Sequence, residues 1–300
     1  MKRIGVLAVA LLLLAGCTDE GPEPRPDPEP APEATESEAA PTPAPSEDAI
    51  PIEESGRTIP IQLWFLDGGD NAEDITLRLQ HVEIPATLTT GRAALEQLIA
   101  GIPNGAPEDT FTVVPPDTEV LGLTIEKGTA RVDLSRDFED TGMGTTADGL
   151  QIPQVVYTLT QFPTVKRVEF LIEGEEVEII GGHGIEISGR HTRKDFESLL
   201  PPIVVFSPYP GQELGTPFTM SGVANVFEAT VSYRIRDDSG KVVDKGFTTA
   251  TCGTGCYGTF SQVIDVDAEG QVVLEVFESS AEDGRPLHMQ RIPLTVQPSS

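Results

Sequence analysis

Apolar residues follow two rhythms along this chain, and the change from one to the other divides it. From residue 58 to 181 they recur at a spacing of two in some stretches and at helical spacing in others, whereas from 203 to 297 the spacing of two prevails. In the first region Ile59, Ile61, Leu63 and Phe65 share one face, which predicts a half-buried strand ending at Asp67-Gly68-Gly69. Leu77 to Ile84 predicts a second strand. Thr90 is the expected N-cap of a helix whose Ala94, Leu95, Leu98 and Ile99 lie on one side and which Gly101 and Pro103 stop. Val113, Val120 to Ile125 and Ala130 to Leu134 follow as strand runs, the last two joined by Glu126-Lys127-Gly128. A second helix carries Ile152, Val155, Val156, Leu159 and Phe162, with Pro153 tolerable only in its first turn because proline lacks the amide a helix interior uses. Lys166 to Ile172 returns as a strand, and Glu173-Gly174 turns into Val177 to Ile180. These elements predict a small mixed α/β sandwich.

Pro201-Pro202 marks a boundary, and no helical period follows it. Ile203 to Phe206, Phe218 to Val223, Thr230 to Arg236, Lys241 to Thr248, Phe260 to Val266, Val272 to Glu278 and Ile292 to Val296 predict seven strands. Asp238-Ser239-Gly240, Glu269-Gly270 and Asp283-Gly284 separate some of them. Val231, Tyr233 and Ile235 face one way, as do Val272, Leu274 and Val276. Seven short strands of this period are what an immunoglobulin-like sandwich requires. The expected fold class is therefore α+β, with an all-β domain at 203–297 joined to the first domain, 58–181, by a linker at 182–202.

The N-terminal pattern is different again. Lys2 and Arg3 precede an apolar run from Ile4 to Leu14, and Leu14-Ala15-Gly16-Cys17 closes it with small residues. The run is too short to span a bilayer, which takes about 20 residues. It predicts a signal peptide at 1–16. The sequence around Cys17 resembles the bacterial lipobox, which implies lipidation of Cys17 and a membrane anchor made of acyl chains. From Thr18 to Ser55 twelve Asp or Glu residues stand against one basic residue, Arg25, and prolines recur. A segment with so little to bury does not offset the entropy of ordering, so 17–57 is expected as a disordered tether reaching on the order of 100 Å. The formal net charge of -28 argues against nucleic acid as a partner. With Cys17 taken by lipid, Cys252 and Cys256 remain as a pair suited to a disulfide outside the cytoplasm.

Specific blocks extend the picture. Leu63-Trp64-Phe65-Leu66-Asp67, Ala93 to Gly101, Val120-Leu121-Gly122, Ala130 to Ser135 and Val156 to Pro163 together resemble the GerMN domain of bacterial sporulation and germination lipoproteins, in order and spacing. Ser207 to Gly211, Ser221 to Ala229, Gly258 to Ser261 and Glu275 to Ser279 resemble the immunoglobulin-like domain that accompanies GerMN in spore-germination proteins. The resemblance implies assembly or partner binding and does not fix which of the two.

Other constellations carry less. His81, His183, His191 and His288 lack zinc-ligand spacing and are expected to be solvated, so neither a metal nor another cofactor is expected. Glu228 and Glu278 follow Phe227 and Phe277, and strand alternation predicts each Phe in the core and each Glu in water, against a glycosidase pair. Ser207, Ser221 and Ser261 have no nucleophile-elbow setting. The expectation is a non-catalytic scaffold on the outer face of the bacterial membrane, held by the lipid on Cys17, contacting an envelope protein, the cell-wall polymer or further copies of itself. The alternatives are a peptidoglycan or polysaccharide-binding module and, further off, an envelope hydrolase.

Overall fold

The computed structural model describes residues 56–68, 74–142, 149–181 and 184–297. The signal peptide, Cys17, the tether as far as residue 55, and His183 lie outside them. The described residues form one compact unit. Within it the fold is α+β, a mixed domain followed by an immunoglobulin-like sandwich.

The first half opens with β1 (Thr58–Asp67) and β2 (Thr76–Pro85), an antiparallel pair in full register, and a short β3 (Thr110–Phe111) adds to the end of β1. The helix α1 (Thr90–Ile99) lies between them in sequence. Its N-cap is Thr89 rather than Thr90, whose hydroxyl instead donates to the Thr87 carbonyl at 2.7 Å. A second sheet follows the order β4 (Val120–Glu126), β5 (Thr129–Leu134), β6 (Arg167–Ile172), β7 (Glu175–Glu176). Strands β5 and β6 are parallel, so the chain must cross over between them, and α2 (Gln151–Leu159) makes that crossover. The Lys127-Gly128 and Glu173-Gly174 turns take positive φ at both residues, the geometry that lets a two-residue loop follow the strand twist.

Every residue of α2 is buried, and its two sides do different work. Ile152, Val155, Val156 and Leu159 enter the core with Leu63 and Phe65 of β1, Leu95 and Leu98 of α1, and Val168 and Phe170 of β6. Its polar side completes the strand next to it. The Trp64 amide of β1 donates to Thr158 Oγ1, and just beyond the helix Gln161 accepts from the Gln62 amide and donates to the Gln62 carbonyl, both at 2.7 Å. Side chains thus satisfy backbone groups that no strand reaches, as buried backbone requires. Phe162 falls past the helix end yet still packs on this core.

One expectation fails near the domain boundary. Val177 to Ile180 is not one strand. The chain leaves β7, and a separate β8 (Ile179–Ile180) pairs with β9 (Ile185–Glu186). The linker at 182–202 carries structure of its own, since a 3-10 helix at Arg193–Leu199, held by a Thr192/Asp195 capping box, turns Phe196, Leu199 and Leu200 onto packed surfaces. Those apolar side chains give the segment something to bury.

The second half is two sheets around one core. One has the order β10 (Ile203–Ser207), β12 (Phe218–Ala224), β15 (Gly258–Ile264); the other runs β11 (Glu213–Leu214), β17 (Pro286–Val296), β16 (Gly270–Ser279), β13 (Thr230–Asp237), β14 (Val242–Thr249). Val231, Tyr233, Ile235, Val272, Leu274 and Val276 face inward as their alternation predicts. Gly222 lies where β10 and β15 close on β12; a Cβ there would run into the Val204 carbonyl and the Phe260 ring. Strand β17 begins six residues before the apolar signal at Ile292, because Pro286 to Arg291 pair with β16 while their side chains stay largely in water.

Candidate functional site

Two places concentrate chemistry, and the first is where the halves meet. Trp64 and Leu66 project from the face of β1 opposite the first core, and with Leu77 and Tyr157 they form a third cluster with Leu200, Val204, Phe206 and Tyr257. Trp64 is fully buried, its ring 4.7 Å from Tyr157 and 6.4 Å from Phe206. Arg193 enters this aromatic box, its guanidinium carbon 5.5 Å from the Trp64 ring centre, 4.9 Å from that of Tyr157 and 5.8 Å from that of Phe206. Its Nε donates to Thr160 Oγ1 and a terminal nitrogen to the Tyr157 carbonyl, so a cation sits at the C-terminal end of α2, where the helix dipole favours it. Burial pulls the Arg193 pKa down to about 10, which leaves it charged at neutral pH. The Tyr157 hydroxyl donates back to the Arg193 carbonyl, and burial holds its proton more tightly than in water.

At the rim of this junction His81 of β2 stacks on Tyr209 at 4.7 Å, and the Tyr209 hydroxyl donates to Glu83 at 3.0 Å. Burial lowers the His81 pKa to about 4, against a hydrogen bond to the Phe206 backbone that works the other way. A cleft of about 500 Å³ opens beside it, lined by Gln80, His81, Val204, Val205 and Gln290 among others.

The second place is the outer face of the five-stranded sheet. Register puts Lys245, Arg234, Glu275 and Arg291 in one row across β14, β13, β16 and β17. Glu275 is buried, and three guanidiniums converge on it: Arg234 Nε and Arg236 Nε on Oε2, the latter at 3.0 Å, and Arg291 Nε on Oε1 at 3.2 Å. Burial pushes the Glu275 carboxyl up, but the hydrogen bonds from Arg234 and Arg236 outweigh it and hold the group below the usual carboxylate range. A cavity of about 600 Å³ adjoins this row.

Residues singled out from the sequence are distributed as follows. Cys252 and Cys256 are joined, with Cα atoms 5.8 Å apart, in a loop tied to the Asn225–Glu228 segment by Gly255 N–H to Asn225 Oδ1 and Glu228 N–H to Thr254 Oγ1. Glu278 accepts from the Phe227 amide at 3.1 Å, so Glu278 and the Phe227-Glu228 turn do come together. Phe227 and Phe277, both expected in the core, are not there: Phe227 is half exposed in a 3-10 turn, where alternation does not apply, and Phe277 shares the outward face of β16 with Glu275, because Val272, Leu274 and Val276 take the inward positions. His81 and His191 are packed rather than solvated, His191 between Phe170 and Phe196 with Nε2 3.0 Å from the Ile187 carbonyl. His288 stays partly exposed, 3.7 Å from Glu278. Ser207, Ser221 and Ser261 share one cross-strand row. Among the described residues no three His, Cys, Asp or Glu side chains group as metal ligands, and no helix is long and apolar enough to cross a membrane. Arg193 has no local motif that sets it apart; for the Glu275 row the only local signals are the Arg-x-Arg spacing at 234 and 236 and a Glu inside the apolar run of β16.

Residues 62–178 match the family described as sporulation and spore germination, and residues 202–285 match the immunoglobulin-like domain of bacterial spore germination. The spore germination protein GerM of Bacillus subtilis is 30% identical over 151 residues, 49% of this chain. The chain is a GerM-like protein with a C-terminal immunoglobulin-like domain. This GerM-like chain spans 39% of the length of that relative. The solved first GerMN domain of B. subtilis GerM aligns with 46% of the chain and 100% of its own length, at 30% identity and a TM-score of 0.40. The tandem GerMN domains of the same protein align with 70% of the chain and 62% of theirs, at 24% identity and a TM-score of 0.41.

Proposed function

We propose that this GerM-like chain is a non-catalytic scaffold of the bacterial envelope, carried on the outer face of the membrane by lipid on Cys17 and working by contact with an envelope protein. The observation that carries the reading is the cluster around Trp64. It buries apolar surface contributed by both halves, so the pair presents its outer faces as one body, which suits a part that positions a partner. The relative's printed role in spore germination supports a place in sporulation or germination. The Cys252–Cys256 bond accords with an oxidising compartment.

Proximity labelling from the full chain, compared with Cys17→Ser, tests this directly. The expected result is a reproducible set of envelope proteins labelled by the anchored chain and lost when Cys17 is replaced. A chain recovered from the cytosol with no such set contradicts it. The second reading, wall-polymer binding, has one observation in its favour: Phe247 is 67% exposed on the edge strand β14. Co-sedimentation with purified wall that Phe247→Ala abolishes selects that reading.

A further inference from the structure

We propose that the arginine row on the outer face of the second domain is a binding site for an anionic oxygen group, a phosphate or a carboxylate. The inference stands apart from the anchoring and from the choice of envelope partner, since it rests on this sheet alone.

The geometry begins with an imbalance. Arg234, Arg236 and Arg291 all point their Nε at the single carboxylate of Glu275. One negative charge faces three positive ones, and the side chains of Arg234 and Arg236 are only 24% and 31% exposed, so water screens them incompletely. A guanidinium has five donors in a fixed fork. Arg236 spends a further one on the Gly240 carbonyl at 2.8 Å, while the terminal nitrogens of Arg234 and Arg291 hold no hydrogen-bond partner among the described residues. These spare donors sit where planar, bidentate oxygen ligands are recognised.

Space and orientation agree. The cavity of about 600 Å³ that opens to solvent beside the row is lined by Arg236 and Arg291 and also by the carboxylates of Glu275, Asp237 and Asp238, while Arg234 lies outside its lining. Arg234 is held over the Phe277 ring at 5.1 Å, which fixes the fork from behind. The opposing charges lie in the β13–β14 turn. Asp237 accepts from Ser239 Oγ and the Lys241 amide, which occupies it, and Asp238 is exposed next to it. Lys245 adds a cation at the end of the row. On a chain of net charge -28, a row in which Arg234, Arg236, Arg291 and Lys245 meet the single carboxylate of Glu275 is an exception that solubility alone does not require.

The test is calorimetric titration of the full chain at low ionic strength with tripolyphosphate and, separately, citrate. Saturable binding of either probe is expected, and the tighter of the two says whether phosphate or carboxylate is the natural group. Arg291→Gln, which leaves two arginines on Glu275, should weaken binding roughly tenfold. Arg291→Lys, which keeps the charge and loses the fork, should weaken it less and serves if the first variant does not fold. Arg285→Gln, an exposed arginine outside the row, should leave binding unchanged. No saturable binding of either probe, an unchanged affinity in folded Arg291 variants, or an equal loss in Arg285→Gln overturns the proposal.

Discussion

Strands β1 and β13 are built on the same alternation and end in opposite situations. Both run beside neighbours and turn one apolar face into a core, β1 with Ile61, Leu63 and Phe65, β13 with Val231, Tyr233 and Ile235. On the other face β13 carries Ser232, Arg234 and Arg236 to the surface, whereas β1 carries Trp64 and Leu66 into a second buried cluster. The difference lies in what stands opposite. A sheet face left to water keeps polar residues and can hold a charged row; a face covered by another domain must be apolar and matched in shape. The halves of this chain are therefore joined through β1, and the face left open to solvent lies on strands such as β13.

Breaking the buried side should cost most. Trp64→Ala removes the largest side chain of the junction and should lower stability by about 3 to 5 kcal/mol, read as the urea midpoint by circular dichroism. Acid should weaken the same place. The folded pKa of His81, about 4, lies below its ordinary 6.5, so the unfolded chain binds that proton more readily. The neutral ring's contribution is fully present above pH 6.5 and is lost as pH falls toward 4, a decline on the order of 2 kcal/mol that His81→Gln should flatten in midpoints measured from pH 7 to 4.5. Reduction of the Cys252–Cys256 ring should cost about 2 kcal/mol by the chain-entropy estimate for so short a loop, seen as a lower midpoint with reductant present. Tyr157→Phe should cost about 1 kcal/mol by leaving the Arg193 carbonyl without its donor. On the open side, Ser232→Ala should shift the midpoint by less than about 0.5 kcal/mol.

The same contrast explains what the sequence reveals. Alternation made the inward faces of β13 and β16 readable, and Gly-containing turns placed their ends. In β1 the alternation predicts a half-buried strand, yet Trp64 and Leu66 are buried on the other face as well, because no local pattern can name a partner supplied from about 140 residues later. Arg193 stands in Arg193-Lys194-Asp195, which locally reads as a solvated turn, and only the tertiary fold encloses it in aromatic rings. The early part of β17 is silent for the converse reason, since its polar side chains stay outside while its backbone pairs. Strand alternation does not reach Phe227, which lies between β12 and β13 in a turn where Glu228 and Ala229 take positive φ.

Trp64 is the chain's one tryptophan, and it sits in the cluster that joins the two halves. Urea unfolding followed at once by its fluorescence and by far-ultraviolet circular dichroism asks whether the halves behave as one body. Coincident transitions, both shifted together by Val204→Ala on the second half's side of the cluster, are the predicted result. A fluorescence change complete before the circular dichroism of the β-sandwich begins to fall would show two independent domains and contradict it.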